Sequence, residues 1–482
     1  MADLTSIRQM LDTHGQSHLL DFDDELTPPQ RAALLEQIAG LDLPHLQELI
    51  ATHVRPQPSG NLAGRIEPAR TVGARPTDAA GIAEHKAATA RGLELIAAGK
   101  VAAFVVAGGQ GTRLGYEAPK GCLEATAVTR KPLFQVFAEQ ILAASRRAGR
   151  PIAWYVMTSP NNDVPTRAFF RQHRHFGLDP KDVFFLLQGT LPAFDQHGRI
   201  LLASKGELAL NPNGHGGSLP ALRDSGALDD MARRGAEFIS YFQVDNPLAR
   251  CIDPLFIGLH DLRKAQMSAK CLPKRDPMER LGNLCLVDGK VTVIEYSDMP
   301  EELARATNEQ GRLRFSAGSI AIHVLSRSFV ERLTGEGKCR LPYHRAIKKA
   351  PYVDDSGRLI KPEEPNAIKL EMFVFDALPL ASNTVILETL RSEEFSPIKQ
   401  ASGEDSLTTS LHDQVRRAAA WLEQAGISVP RDASGQVAAA IEISPLFADS
   451  ADELAKKVDP KMAIAIGQSV YLGERGQVGG PR

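Results

Sequence analysis

Cysteine is scarce in this sequence, with five residues spread over 482 positions. No two of them form a Cys-x-x-Cys pair, which argues against a zinc site of that type and against a disulfide framework. We therefore expect reduced thiols in a cytoplasmic protein, at the following positions: Cys122, Cys251, Cys271, Cys285 and Cys339.

Long apolar runs and net charge are also missing. No stretch approaches the roughly 20 apolar residues of a membrane-spanning helix, and the first residues, MADLTSIRQMLDTHGQ, contain no apolar signal core. The 56 basic and 58 acidic residues leave a net charge of -2. Bulk charge therefore points to neither a nucleic acid nor a membrane as partner, and any anion must be bound by a local cluster.

Length alone predicts two to four domains. A hydrophobic content of 43% is sufficient for a large core. Residues 4–53 have helical periodicity, with a helix start at Thr27 that is followed by two prolines. Residues 54–80, rich in Pro, Gly and Arg, predict an extended connector. We predict an N-terminal helical segment with its linker over 1–97, a central α/β domain over 98–390 and a small C-terminal domain over 391–482.

Strands and helices alternate through the central part of the chain. The run 101–107 is short, bounded by glycine and apolar on both faces, which is typical of a buried parallel strand. The resulting pattern favours a doubly wound α/β fold with helices on both sides of the sheet. Further elements are predicted in this order: helix 82–98, helix 131–148, strand 152–158, helix 163–176, strand 182–188, strand 237–244, antiparallel strands within 268–296 and helix 407–426.

A glycine-rich loop, AGGQGTRLG over 107–115, follows the first predicted strand directly. Glycine leaves backbone N–H groups free to face an anion, with no Cβ in the way. The carboxyl ends of parallel strands are where α/β sheets bind ligands, and arginine and lysine suit phosphate. We therefore predict a phosphate-binding loop formed by Gly108, Gly109, Gly111, Thr112, Arg113 and Lys120.

Two common phosphate motifs do not fit this loop. A Walker loop ends in Gly-Lys-Ser/Thr, which is absent here. The dinucleotide fingerprint needs glycine at its sixth position, where Leu114 stands, and this disfavours a dehydrogenase. A tight glycine turn without any ligand is the remaining alternative, and the density of glycine together with arginine and lysine weighs against it.

The loop and the Pro119-Lys120-Gly121 that follows it resemble the signature of UDP-N-acetylglucosamine pyrophosphorylases and their UDP-sugar pyrophosphorylase relatives. In that family the loop wraps the nucleotide phosphates, and the arginine and lysine stabilise charge during transfer. The resemblance implies a Rossmann-like mixed sheet of the nucleotide-diphospho-sugar transferase type. It covers most of the chain, beginning with GQSHLL over 15–20, which is similar to the family's helical lead-in.

Two segments resemble the parts of the family that bind uridine. The segment QGTLP over 188–192 resembles the one whose glutamine contacts the uracil edge, and the amide of Gln188 offers the donor and the acceptor that a pyrimidine matches. The turn PNGHGG over 212–217 resembles the uridine-binding turn, with Gly214 and His215. The N-acetylglucosamine enzymes usually carry asparagine where His215 stands, and histidine is more like the glucose-specific relatives. Between glycines this side chain has little to pack on, which favours ligand contact.

Asp245 follows the predicted strand 237–244 and resembles the family's metal-binding aspartate. A carboxylate at the end of a strand can hold Mg²⁺ together with substrate phosphates. We therefore predict Mg²⁺ as the cofactor, with Asp253 as a weaker second acid. The alternative is an ordinary aspartate in a turn.

Two further segments resemble the family's sugar-binding parts. The stretch Glu295-Tyr296-Ser297 resembles the one whose glutamate and tyrosine contact the sugar. The segment FSAGSIAIH over 315–323 resembles FNAGNIANH and carries Ser316, Ser319 and Ile322 in place of asparagine. Because the asparagine replaced by Ser319 meets the sugar, the shorter side chain alters the pocket that distinguishes an N-acetyl group.

The last two blocks also resemble the family. The segment PNAIKLEMFVFD over 365–376 closely matches a family block and contains Lys369, Phe373 and Phe375. The two phenylalanines are predicted to alternate on one strand face and to wall the sugar pocket, with simple core packing as the alternative. The segment FSPIK over 395–399 resembles the FSPLK turn, whose lysine, here Lys399, grips phosphate.

The ordered series implies a uridylyltransferase that forms a UDP-sugar and pyrophosphate from UTP and a sugar 1-phosphate, with N-acetylglucosamine 1-phosphate as the first candidate. A UDP-glucose or broad-specificity UDP-sugar pyrophosphorylase is the alternative that His215 and Ser319 favour. A non-catalytic UDP-sugar-binding protein is the second alternative, and the retained cations weigh against it. The expected partners are UTP and the sugar 1-phosphate, with no nucleic acid and no membrane, in a monomer or weak homo-oligomer.

Overall fold

A computed structural model describes residues 4–55, 64–337, 339–474 and 476–479. The chain forms two compact units, each assembled from three separate segments. The first unit consists of Met1–Ala63, Gln188–Pro220 and Arg340–Asp376, and the second of Gly64–Leu187, Ala221–Cys339 and Ala377–Arg482. The predicted domains 1–97, 98–390 and 391–482 are consecutive stretches, and that division stays a prediction.

The second unit is built on a mixed sheet. Seven strands follow one another across it in the order Ile66–Pro68, Asn283–Val287, Ala317–Ser326, Phe238–Gln243, Val101–Val106, Trp154–Thr158 and Val183–Leu187. Three more join at the side: Lys290–Ile294 pairs with Asn283–Val287, and Met267–Pro273 pairs with both Ala317–Ser326 and Thr384–Glu388. The predicted α/β fold with a central mixed sheet is confirmed.

Strand direction determines where the loops of this sheet meet. Strand Val101–Val106 runs parallel to Phe238–Gln243 on one side and to Trp154–Thr158 on the other. Strand Ala317–Ser326 runs antiparallel to Phe238–Gln243. The segments after the three parallel strands and the first residues of Ala317–Ser326 therefore lie at one edge of the sheet.

The helices of the central region end close to where the sequence predicts them, except that the predicted helix 163–176 stops at Gln172. Residues Arg174, His175 and Phe176 follow with left-handed φ angles of 50° to 54°, which no α-helix continues through. Before residue 400, the α-helices described in the second unit are Ala79–Ala97, Leu133–Ala148, Asp163–Gln172, Ala227–Arg234, Pro254–Leu262, Glu301–Arg305, Arg327–Leu333 and Arg391–Glu394, with Ser218–Asp224 at the junction of two segments.

The first unit begins with the predicted N-terminal helices, Leu4–Thr13, Pro28–Ala39 and Leu43–Leu49, which ends in a π-turn over Ile50–Val54. Thr27 precedes the second helix, as predicted, and its N–H donates to Oε1 of Gln30 at 3.0 Å. Apolar residues of these helices share a core with Phe194, Ile368 and Leu370. The strands of this unit are Thr190–Pro192, Leu202–Ser204, Glu207–Leu208, Leu210–Pro212, Tyr343–Lys348, Tyr352–Val353, Leu359–Ile360 and Ala367–Met372.

The lead-in GQSHLL holds the first unit together by hydrogen bonds. The Gln16 amide donates to the Gly198 carbonyl at 3.0 Å and accepts from the Ile200 N–H at 2.9 Å. Nε2 of His18 lies 2.8 Å from the Ile200 carbonyl. Within the predicted connector 54–80, residues 56–63 lie outside the described residues, and Ile66–Pro68 is a strand rather than an irregular link.

A C-terminal module belongs to the second unit. We define it as helix Leu407–Gln424, helix Ala451–Lys457 and the strands Ala440–Ile443, Ser469–Gly473 and Gly476–Gly479. It has an apolar core of its own, which includes Trp421, Leu422, Ile441 and Leu454. In the described part of the chain, no helix combines the length and the apolar character needed to cross a membrane.

The second unit contains a buried ion-pair triad. The fully buried ammonium of Lys270 donates to Oδ2 of Asp253 at 2.6 Å and to Oε1 of Glu394 at 2.7 Å. Since an unpaired buried charge costs several kcal/mol, loss of either acid should destabilise this unit. His260 is buried as well, with its two ring nitrogens 2.8 Å from Oγ of Ser268 and 3.0 Å from Oγ of Ser326.

His260 makes stability depend on pH. Burial lowers its pKa from 6.5 to about 3, against a smaller opposing effect of Asp261. Between these values the unfolded chain binds the extra proton, so the free energy of unfolding falls with falling pH, by up to ~1.4 kcal/mol per pH unit. We predict that His260→Gln loses less thermal stability than the wild type between pH 7 and pH 5, measured as Tm. The exposed His412→Gln should follow the wild type; an unchanged pH response in His260→Gln would contradict the assignment.

Candidate active site

The glycine-rich loop leaves the carboxyl end of strand Val101–Val106, as predicted. The loop is folded onto itself: the Lys120 N–H donates to the Gly109 carbonyl at 3.2 Å and the Gly111 N–H to the Ala118 carbonyl at 3.1 Å. A Cβ on Gly111 would lie 2.6 Å from the Tyr116 carbonyl oxygen, and one on Gly121 would lie 2.2 Å from the Phe134 ring. Glycine is therefore needed at both positions for the chain to fold back this closely.

Asn162, which sequence reasoning missed, holds this loop in place. Its buried amide donates to the Ala107 carbonyl at 2.9 Å and to the Gly109 carbonyl at 3.3 Å, while its oxygen accepts from the Ser159 N–H at 2.7 Å. Asn162 lies just after the neighbouring parallel strand, Trp154–Thr158. A polar residue beyond the end of that strand was the signal in the sequence.

The two predicted cations of the loop face solvent. Arg113 and Thr112 are exposed and Lys120 is half-buried. Among the described residues, neither Arg113 nor Lys120 has a side-chain hydrogen-bond or ion-pair partner. Their positive charges are therefore available for an anion, in contrast to the paired Lys270.

Asp245 and Lys399 lie at the same edge of the sheet. The Val244 N–H donates to the Val106 carbonyl at 3.2 Å, which places Asp245 beside the start of the glycine-rich loop. The Asp245 carbonyl then accepts from the Ile398 N–H at 2.8 Å, so the turn that carries Lys399 lies against it. The sequence predicted each residue singly, and the structure brings them together.

Asn246 fixes this turn and was also missed. Its buried amide donates to the Glu394 carbonyl at 2.7 Å, and its oxygen accepts from the Ser396 N–H at 3.1 Å. Together with the bond from Ile398 to Asp245, these contacts bind the segment 394–399 to the end of strand Phe238–Gln243. The position of Lys399 is therefore set by backbone contacts rather than by its own flexible side chain.

The acids around Asp245 differ in environment. The Asp245 carboxylate is half-buried and has no side-chain hydrogen bond to a described residue. Burial raises the pKa of nearby Asp405. The positive charge of Lys399 opposes this rise, and the negative charges of Glu404 and Asp245 add to it. Asp253, the weaker second candidate, pairs with Lys270 and accepts from the Leu255 N–H at 3.1 Å, so it is engaged in structure.

Ser319, Glu295 and Tyr296 are grouped near the same edge. The Ser319 N–H donates to the Gly282 carbonyl at 2.8 Å, and a Cβ on Gly282 would lie 3.3 Å from Oε1 of Glu295. Glu295 follows strand Lys290–Ile294, whose end pairs with Asn283, itself opposite Gly318. Tyr296 is 42% exposed. The predicted sugar residues of the second unit therefore form one cluster.

The remaining predicted residues belong to the first unit, where Gln188 and Gly214 are in contact. The buried Gln188 amide donates to the Gly214 carbonyl at 2.7 Å and to Oδ1 of Asn213 at 3.4 Å. Within the described chain, Oε1 of Gln188 has no hydrogen-bond donor. The Lys369 ammonium donates to Oδ1 of Asn211, and burial lowers the pKa of Lys369.

His215 has aromatic partners, contrary to the expectation that it has little to pack on. Its ring stacks on Phe373, with centroids 5.2 Å apart, and lies 5.5 Å from Phe375. Burial, with a further contribution from His344, lowers the pKa of His215 to about 4. Its Nδ1 accepts the Val374 N–H at 3.1 Å, so the neutral ring carries its proton on Nε2 and offers a donor there.

Phe373 and Phe375 do not alternate on a strand, so that prediction is wrong. Strand Ala367–Met372 ends before them, and a 3-10 helix begins at Val374. The two rings are brought together by the tight 3-10 turn instead of by a strand, and their centroids lie 5.1 Å apart. His344 also stacks on Phe373, at 4.4 Å between centroids, and its Nε2 lies 2.7 Å from Oδ2 of Asp376.

The described residues contain no group of three or more His, Cys, Asp or Glu side chains that would form a metal site by themselves. A cation at this edge would thus have to take part of its coordination from a bound ligand. A single carboxylate with phosphate oxygens and water suits Mg²⁺, which keeps several waters in most protein sites. The environment of Asp245 fits such a site.

Comparison with known proteins extends these observations. A family model described as UTP–glucose-1-phosphate uridylyltransferase matches residues 69–430. The UDP-N-acetylhexosamine pyrophosphorylase-like protein 1 of Homo sapiens is 39% identical over 485 residues, covering 94% of each chain. The UDP-N-acetylglucosamine pyrophosphorylase of Saccharomyces cerevisiae is 38% identical over 348 residues, covering 70% of this chain and 73% of its own.

A solved structure agrees with the sequence matches. The uridine diphosphate N-acetylglucosamine pyrophosphorylase of Trypanosoma brucei, crystallised with an inhibitor, superposes with a TM-score of 0.79 at 28% identity and 95% coverage of both chains. The UDP-glucose pyrophosphorylase of Leishmania major reaches a TM-score of 0.59 at 16% identity, which is a likeness of fold alone. The fold of this chain therefore recurs among UDP-sugar pyrophosphorylases.

The contacts of Asn162 predict a specific loss of stability. Asn162→Ala leaves the Ala107 carbonyl and the Ser159 N–H without the Asn162 side chain as partner, and it removes one of the two donors to the Gly109 carbonyl. The expected cost is about 1–3 kcal/mol in the free energy of unfolding. Urea denaturation measures this change. The adjacent Asn161 is exposed, and Asn161→Ala should stay within about 0.5 kcal/mol of the wild type. Equal stability of the two variants would show that Asn162 does not hold the loop.

Proposed function

Because the chain belongs to the family of UTP–glucose-1-phosphate uridylyltransferases, we propose that it forms UDP-N-acetylglucosamine from UTP and N-acetylglucosamine 1-phosphate. The family membership predicted from the motifs is confirmed. The chain is a nucleotidyltransferase that joins UTP to a sugar 1-phosphate and releases pyrophosphate. The identity of the sugar is the proposed part.

The roles proposed for individual residues rest on one observation. Arg113 and Lys120, at one edge of the sheet, have no side-chain hydrogen-bond or ion-pair partner among the described residues. In the reaction, a phosphate oxygen of the sugar 1-phosphate attacks the α-phosphorus of UTP in line with the departing pyrophosphate. Both reactants are anions, so their repulsion has to be neutralised. Arg113, Lys120 and Lys399 supply three cations, and the glycine-rich loop supplies N–H groups. Catalysis by positioning and electrostatic stabilisation needs no protein nucleophile.

Mg²⁺ is part of the proposal, with Asp245 as its protein ligand. When bound, this ion would neutralise charge on the phosphates and orient them. Asp245 follows the end of strand Phe238–Gln243, beside the glycine-rich loop. Its carboxylate has no hydrogen bond to a described residue, so it can bind a cation. The turn of Lys399 is hydrogen-bonded to the same residue through the Ile398 N–H, so the Lys399 cation and the ion held by Asp245 would act at the same end of the site.

The sugar assignment rests on the names of the relatives and on His215. The relatives from Homo sapiens, Saccharomyces cerevisiae and Arabidopsis thaliana carry N-acetylhexosamine or N-acetylglucosamine in their names. The neutral His215 presents an N–H donor at Nε2, which takes over the donor function of the asparagine amide that the family usually has there. On this interpretation, His215 does not require a switch to glucose.

Ser319 favours a sugar other than N-acetylglucosamine as the second candidate substrate. The Ser319 hydroxyl has no hydrogen bond to a described residue, and serine is shorter than the asparagine that it replaces. A UDP-glucose or broad-specificity UDP-sugar pyrophosphorylase is therefore the second candidate. We also propose a cytoplasmic location, consistent with the free thiols of Cys122, Cys251, Cys271 and Cys285, and a monomer or weak homo-oligomer.

A panel of sugar 1-phosphates tests the proposal. We expect the highest kcat/KM for pyrophosphate release with N-acetylglucosamine 1-phosphate. Ser319→Asn should raise its preference over glucose 1-phosphate by roughly 2- to 10-fold, the effect of one hydrogen bond. Ser316→Asn is the matched control and should leave this ratio unchanged. A wild-type preference for glucose or galactose 1-phosphate would support the second candidate. UTP binding without pyrophosphate release would leave a non-catalytic binding protein.

Removal of the Asp245 charge tests the metal ligand. We expect Asp245→Asn to require at least ~10-fold more Mg²⁺ for half-maximal rate. Loss of a residue that only hydrogen-bonds to a metal ligand already lowers metal affinity by about 10-fold or more, and loss of the ligand itself should cost at least as much. A magnesium titration of the initial rate measures this. Asp24 is exposed in the first unit, and Asp24→Asn should titrate like the wild type. An unaltered titration for Asp245→Asn would remove Asp245 from the metal site.

A further inference from the structure

Lys120 lies at the base of a loop that the reaction does not explain. We call residues 123–133 the pinned loop. It begins where the Leu123 N–H donates to the Lys120 carbonyl at 3.0 Å, and it closes where the Leu133 N–H donates to the Leu123 carbonyl at 3.0 Å. Movement of this loop would therefore reach Lys120 directly through the backbone.

The tip of the pinned loop is held by Glu442 of the C-terminal module. The Glu442 carboxylate is buried and accepts hydrogen bonds from the N–H groups of Val128 at 2.9 Å and Thr129 at 2.8 Å, and from the Thr129 hydroxyl at 2.5 Å. Arg130, next in the chain, has a left-handed φ of 56°, a backbone conformation that needs such support.

A second contact lies on the returning side of the loop. The buried Lys131 ammonium donates to Oε2 of Glu139 at 2.8 Å and to the hydroxyl of Tyr471 at 2.8 Å. The same Glu139 oxygen accepts from the Ser444 hydroxyl at 2.7 Å. Tyr471 of the C-terminal module thus holds the loop directly through a charge-assisted hydrogen bond, which is stronger than a neutral one. Ser444, the residue after strand Ala440–Ile443, supports Glu139, the other partner of Lys131.

One helix of the module contacts both lysine-bearing segments. The Gln414 amide, on helix Leu407–Gln424, donates to the Ala125 carbonyl of the pinned loop at 2.8 Å. From the same helix, the Ser410 hydroxyl donates to the Ser396 carbonyl at 3.0 Å, and Asp413 accepts from the Ser396 hydroxyl at 2.6 Å. Ser396 lies three residues before Lys399.

We propose that the C-terminal module positions the two phosphate-facing lysines, with Glu442 and Gln414 as positioning residues for Lys120. The inference rests on the proposed function, because it presumes that Lys120 and Lys399 stabilise the transferring phosphates. Neither positioning residue belongs to the predicted substrate-binding set. Their effect passes through the pinned loop to the Lys120 backbone, because the first residue of the loop, Leu123, donates its N–H to the Lys120 carbonyl.

The test uses the full-length enzyme with its preferred sugar 1-phosphate. Glu442→Ala should lower kcat roughly 10- to 100-fold, the cost of a small misplacement of a catalytic group, and change the KM for UTP by less than about threefold. Lys120→Ala should lower kcat by ~100-fold or more. In that background, Glu442→Ala should cause less than about a twofold further loss, because its effect acts through Lys120.

Lys457→Ala is the matched control within the module. Lys457 donates to the Phe447 carbonyl and to Glu453, and none of its hydrogen bonds involves the pinned loop. Its kcat should stay within about twofold of the wild type even if its Tm falls as much as that of Glu442→Ala. A loss in both variants, or full additivity with Lys120→Ala, would overturn the inference and leave a purely structural role.

Two further outcomes keep the inference separate from the proposed function. If Glu442→Ala does not fold, Gln414→Ala removes a single hydrogen bond and should show the same selective loss in kcat and the same non-additivity. A wild-type enzyme without pyrophosphate release on any sugar 1-phosphate would contradict the proposed function. An active wild type with full activity in both Glu442→Ala and Gln414→Ala would contradict the positioning role alone.

Discussion

The candidate site depends on hydrogen bonds of the backbone and of the Asn246 side chain at the end of strand Phe238–Gln243. The bond from Val244 to Val106 places Asp245 beside the glycine-rich loop, and the bonds from Ile398 and Ser396 to the segment 245–246 bring the turn of Lys399 to the same place. Lysine and arginine side chains are long and lose much entropy when they are fixed. A rigid backbone beneath them is therefore what makes a cluster of cations precise.

Buried, paired charges and solvent-accessible, unpaired charges have separate functions in this protein. Lys270 is fully buried and satisfied by two carboxylates, so it contributes to the structure of the sheet. Arg113 and Lys120 have no such partner in the described chain, and a bound triphosphate would supply one. An unpaired cation is tolerated here only because the loop remains open to water, which solvates the charge until an anion replaces the solvent.

Local sequence pattern was enough for the strand 101–106, the loop after it and the helix start at Thr27, because each is determined by neighbouring residues. The resemblance to a family supplied Asp245 and Lys399, although no pattern showed that they meet. Asn162 and Asn246 were missed because their partners are carbonyl groups that only the fold brings near. Phe373 and Phe375 were misassigned because their spacing of two suits a strand, whereas the 3-10 helix at Val374 depends on contacts outside the segment.

The interleaved order of the two units has a consequence for synthesis on the ribosome. The N-terminal helices share their core with Ile368 and Leu370, which are made roughly 300 residues later. At typical translation rates of about 5–20 residues per second, the apolar faces of these helices wait for roughly 15 to 60 s before that core is complete. During this period the N-terminal helices of the nascent chain expose apolar surface that has no folded partner. The nascent chain is therefore expected to bind chaperones.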